Sequence, residues 1–105
     1  MKNKVINALI EMGMPANLLG FKYITDFIVL LDSDEWKECK TSALYQKIGK
    51  MNNTTEPRVE RAIRKAFGTV LSTGDHSAID KYLTRLNTSN SNLLHVFYLR
   101  LTQED

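Results

Sequence analysis

Apolar residues recur along this chain every three to four positions, the period of helices that bury one face. The stretch 2–12 places Val5, Ile6, Leu9 and Ile10 on one side and stops at Gly13, with Pro15 just beyond. After a linker over 14–19, Gly20 opens a strongly apolar segment, 21–31, carrying Phe21, Ile24, Phe27, Ile28 and Leu31. A polar connector over 32–40, apolar only at Trp36, leads to a short amphipathic segment at 43–51 with Leu44, Ile48 and Met51 at i, i+4 and i+7. Val59, Ala62, Ile63, Ala66, Phe67 and Val70 form the stripe of a fourth helix, about 55–71, which fades toward Ser72 before Gly74. Asp75 is an N-cap for a fifth helix through Tyr82 and Leu83. A Ser/Asn/Thr loop over 87–92 precedes the last helix, 93–101. That helix is apolar nearly all round, which predicts burial in preference to an interface. There is no strand alternation, internal repeat or low-complexity tract. The expectation is an all-α, six-helix fold in a single domain over 1–105.

The third and fourth segments belong together. Gly49 puts a small residue where two helices cross closely, and Asn52 and Asn53 tolerate left-handed backbone. Thr54 and Thr55 are N-cap candidates, and Pro57 falls in the first turn, where its missing N–H costs nothing. Two helices joined by so tight a turn predict a helix-turn-helix over about 43–71. On its second helix Arg61 and Arg64 lie nearly opposite the apolar stripe, with Arg58, Glu60 and Lys65 on the flanks. An apolar back and an arginine-rich front suit a helix that enters a DNA major groove. A basic face is more often only a solvated surface, so the motif in front of it is what raises the DNA reading.

Charge supports that reading once it is divided along the chain. The net charge is only +2, but residues 40–65 hold seven bases and two acids, +5, against −3 for the remainder. Positive charge gathered on one element suits phosphate contact on one face, and the small total argues against a nonspecific DNA-coating protein. Lys47, Lys50 and Lys65 flank the expected reading surface and are placed against phosphates, together with Thr54 and Thr55.

The 105 residues suffice for one real core. Cys39 is the only cysteine, so no intrachain disulfide forms and a reducing cytoplasm is the expected compartment. No apolar run reaches membrane-spanning length, and the N-terminus lacks a signal-peptide core. Catalytic and cofactor signatures are missing. His76 and His95 stand alone without metal-ligand spacing. Asp32-x-Asp34 superficially opens a calcium loop, but Trp36 and Lys37 occupy positions that need an oxygen ligand and a glycine. There is no Gly-rich phosphate loop and no Ser/His/Asp arrangement. The expectation is no enzyme, no metal and no cofactor.

The run Asn53-Thr54-Thr55 followed by Arg58-Val59-Glu60-Arg61-Ala62-Ile63-Arg64 resembles one family in particular. It is similar to the C-terminal effector domain of the sporulation stage zero protein A, the response regulator that governs endospore formation. The likeness extends to Ile10-Glu11-Met12-Gly13-Met14-Pro15-Ala16, to Gly20 and Tyr23, and to Leu44-Tyr45-x-x-Ile48. It is densest over 44–66 and weak after Gly74.

The resemblance implies a six-helix domain that binds double-stranded DNA at a box with a TGTCGAA-like core, often as tandem head-to-tail copies. It implies base reading by Arg58 and Glu60, with Arg61, Arg64 and Lys65 reading or gripping nearby. Arginine donates to guanine O6 and N7, and glutamate accepts from cytosine N4. It also implies contact with the RNA polymerase sigma subunit through about 69–83, although Leu71 and Thr73 stand where the family has tryptophan and arginine. The family places a phosphoacceptor receiver domain ahead of this one. Its absence here implies an excised effector domain, or a standalone relative not controlled by phosphorylation in cis.

Two readings follow. The leading one is a sequence-specific transcription regulator. The rival is a small helical interaction module, an antagonist that pairs with a full-length regulator through its apolar last helix. Arg58, Glu60 and Arg61 favour the first, because a module that only pairs with protein needs no groove-facing charge pattern.

Overall fold

The computed structural model describes residues 1–103 and contains α1 (Lys2–Glu11), α2 (Leu19–Leu31), α3 (Thr41–Met51), α4 (Glu56–Thr73), α5 (His76–Tyr82) and α6 (Asn90–Gln103). No strand occurs among the described residues. The fold is all-α.

The most apolar helix sits at the centre. α2 buries Phe21, Tyr23, Ile24, Phe27, Ile28 and Leu31, too many positions for a single narrow stripe. Its buried Thr25 escapes an unpaired hydroxyl by donating to the Phe21 carbonyl at 2.9 Å. α4 packs across the start of α2 with the stripe read from the sequence: Val59, Ile63, Ala66, Phe67 and Val70 are buried, and Ala62 is half-buried. The crossing is close because Gly20 faces Ala62 and Ala66. A Cβ on Gly20 would collide with the Ala62 carbonyl oxygen and lie 2.5 Å from the Ala66 Cβ.

A second tie joins α1 to the far end of α4. The Asp75 N–H donates to the Met12 carbonyl at 3.0 Å, immediately after Gly74 caps the end of α4. Asp75 then caps α5, its carboxylate accepting from the Ala78 N–H at 2.9 Å, as its position in the sequence predicts.

Some boundaries differ from the sequence reading, each for a local reason. α3 starts at Thr41 because the Lys40 carbonyl already accepts from Ala43 and Leu44. Thr55 occupies the N-cap position of α4, but its hydroxyl makes no capping bond. α6 starts at Asn90, inside the polar stretch read as loop. Ser89 supplies the cap there: its hydroxyl accepts from Asn92 and its carbonyl from Leu93. Nor is α6 buried all round. Leu93, Leu94, Phe97 and Leu101 face inward, Leu99 is 55% exposed, and the Tyr98 hydroxyl reaches out to Asp32 at 2.9 Å.

Two glycine substitutions should therefore act in opposite directions. Gly20→Ala forces a methyl into the α2–α4 crossing and should cost about 1–3 kcal/mol. Gly68, inside α4, has nothing within 4 Å of an added Cβ, so Gly68→Ala should stabilise by about 0.5–1 kcal/mol. Ile63→Ala, which empties a fully buried site, should cost about 2–5 kcal/mol. Chemical denaturation checks all three, and a neutral Gly20→Ala would contradict the close crossing.

Candidate nucleic-acid interface

The turn between α3 and α4 is built from backbone contacts that few residues allow. The Gly49 carbonyl accepts from the Thr54 N–H at 2.8 Å, and Asn53 takes the left-handed conformation at φ 55°. A Cβ on Gly49 would sit 2.9 Å from the Thr54 carbonyl oxygen, so a larger residue would push α4 away. The Asn52 amide donates to the Ile48 carbonyl at 2.9 Å and to the Asp26 carboxylate at 3.1 Å, tying the turn to α2. Across the turn the Gln46 amide donates to Glu56 at 3.2 Å.

With its stripe buried, α4 presents the opposite face to solvent. Arg58, Arg61, Arg64 and Lys65 are all exposed, and Arg61 lies furthest from the core side of the helix. The Arg61 guanidinium bends back to the Pro57 carbonyl at 3.3 Å. Arg58 and Lys65 make no hydrogen bond or ion pair among the described residues. On this flank Thr54, Arg58, Arg61 and Lys65 line one shallow open groove with Ala62, completed by Leu19 and Tyr23 of α2. The groove has three cations and no carboxylate.

The other flank is arranged differently. The Glu60 carboxylate pairs with the Arg64 guanidinium one turn on, so the acid inside the basic face is locally balanced. Glu60 is partly buried, and its carbonyl accepts from the Asn90 side chain of α6 at 2.9 Å. Asn90 also stands beside the buried Tyr45 of α3. Burial raises the Tyr45 hydroxyl pKa above its ordinary value, outweighing the opposing pull of the neighbouring Asn90 amide. One side chain thus joins α3, α4 and α6 beside Glu60.

The remaining residues expected at the interface lie around this surface. Lys50 is exposed in the last turn of α3, and Thr55 is exposed at the start of α4. Lys47 is half-buried, with its ammonium 5.9 Å from the centre of the Trp36 ring. It is thus engaged by the connector instead of joining the groove. Sequence reasoning missed Leu19, Tyr23 and Asn90. Leu19 falls in a stretch that reads as linker and Asn90 in one that reads as polar loop, so periodicity carried no signal for either.

Residues 5–101 match the family described as Sporulation initiation factor Spo0A C terminal. The chain belongs to that family, the DNA-binding effector domain of a sporulation transcription regulator.

Proposed function

We propose that this domain is a sequence-specific transcription regulator whose α3–turn–α4 unit is a helix-turn-helix, with α4 in the major groove of a box with a TGTCGAA-like core. The observation that carries the reading is the face of α4: three unpaired or loosely held cations line one groove without an acid among them. Arg58 and Arg61 donate to guanine edges. Glu60 accepts from a cytosine N4, and Arg64, paired with Glu60 in the free protein, both orients that carboxylate and reads beside it. Lys65, Lys50, Thr54 and Thr55 grip phosphates, with Lys47 a weaker contributor because it already rests on Trp36. Tandem boxes would seat two copies head to tail. The end of α4 and α5, about 69–83, is the surface for the polymerase sigma subunit, and the cytoplasm, where the DNA is, is the place of action. No described helix is long and apolar enough to cross a membrane.

The rival reading, an antagonist pairing through α6, draws less support, since that helix turns Leu93, Leu94, Phe97 and Leu101 into its own core.

A gel shift with a TGTCGAA-type duplex against a scrambled duplex at physiological salt tests the proposal. The expected preference is roughly a thousandfold or more, and equal affinity for both duplexes would end it. Arg58→Ala should cost about 1–3 kcal/mol on the box and little on random DNA, since base contacts carry the sequence information. Lys65→Ala should instead weaken binding on every sequence and make the log–log salt slope shallower by about one unit. Lys47→Ala should change that slope less. If Lys65→Ala leaves the slope unchanged while Lys47→Ala flattens it, the DNA docks on another face.

A further inference from the structure

We infer that Leu19 is an apolar DNA-contacting residue, seated where α2 meets α4 so as to pack on a thymine methyl or on deoxyribose carbons of one strand. The inference rests on the proposed reading of α4 as the groove-entering helix. Leu19 is the first residue of α2 and is 67% exposed. Its neighbour Gly20 is pressed against Ala62 and Ala66, so the backbone that carries Leu19 is held beside the middle of α4. Leu19 lines the groove shared with Arg58, Arg61 and Lys65, and also an adjoining hollow that continues along α4 past Ala62 to Ala66. No carboxylate borders either depression. Both acids of the first turns of α4 are engaged elsewhere, Glu56 with Gln46 and Glu60 with Arg64.

A leucine in such surroundings is poorly suited to a protein partner. Covering it with an apolar protein surface would also strip water from the nearby cations, which is costly without opposing charge. A DNA strand supplies both needs, phosphates for the cations and methyl or sugar carbons for the leucine. The geometry agrees with this occupant. A helix about 10–12 Å across nearly fills a major groove about 12 Å wide, so a shoulder on its flank meets the strand that forms the wall.

The test uses the whole chain with a TGTCGAA-type duplex and duplexes carrying uracil for each thymine in turn. Leu19→Ala is compared with Leu99→Ala, a second exposed leucine, on α6. Leu19→Ala should keep the wild-type melting temperature, lose about five- to tenfold in affinity for the box, and differ from Leu99→Ala, which should lose nothing. If one uracil weakens the wild type but not Leu19→Ala, the contact is a thymine methyl. If Leu19→Ala loses equally on thymine and uracil duplexes, the contact is deoxyribose. Unchanged affinity for Leu19→Ala, or an equal loss for Leu99→Ala, overturns the inference while leaving box recognition standing. A wild type with no preference for the box overturns both.

Discussion

The closeness of α2 and α4 at Gly20 is the constraint on which the rest of the molecule depends. Backbone against backbone at that crossing lets the apolar stripe of α4, Val59, Ile63, Ala66, Phe67 and Val70, drop into the same core as Ile24 and Phe27, with Ala62 half-buried at its edge. Once the stripe is buried, helical geometry leaves no freedom about which side chains face out. Arg61 must point away from the core, with Arg58 and Lys65 on one shoulder and Glu60 and Arg64 on the other. The turn at Gly49 and Asn53 and the Met12–Asp75 bond hold the two ends of the helix, and the crossing at Gly20 sets its roll. A small rotation would turn Ala62, already half-exposed in the groove, further outward and re-aim the arginines.

Electrostatics then divides the exposed face into two unlike halves. On the α2 side the cations stand without acids, which is unfavourable between the cations themselves and is relieved by an approaching polyanion. On the α6 side Glu60 and Arg64 neutralise one another. In the proposed complex, an acid in the middle of α4 would otherwise repel DNA at close range. Pairing it one turn away keeps the carboxylate available while lowering that penalty, and Asn90 holds the peptide that carries it.

Much of this was legible in the sequence, and the reasons are specific. The stripe Val59–Val70 and the turn residues Gly49, Asn52 and Asn53 encode their own geometry locally, so α4 and its outward face could be read directly. Asp75 could be read as a cap because a carboxylate at that position has an obvious donor to satisfy. What could not be read depends on contacts between segments distant in sequence. Leu19 reads as linker because its place beside Arg58 and Lys65 arises only when α2 crosses α4. Asn90 lies in a run of Ser, Thr and Asn that resembles loop, and only the packed fold brings it to Glu60 and Tyr45. Lys47 looked equivalent to Lys50 in sequence, yet Trp36, from a polar connector, folds beneath it. α6 reads as apolar nearly all round because composition does not reveal that Tyr98 turns outward to an aspartate.

The most direct measurement of the central claim, that the roll of α4 against α2 builds the DNA-binding face, is the backbone amide spectrum of the isotopically labelled protein titrated with a TGTCGAA-type duplex. The account predicts that shift changes concentrate between Asn53 and Lys65 and at the start of α2, from Leu18 to Gly20. The amides of Asn3 and Asn7 on α1 and of the acidic connector near Asp34 should stay in place. Changes centred on α1 or the connector, with the amides of Arg58, Arg61 and Lys65 unmoved, would contradict it.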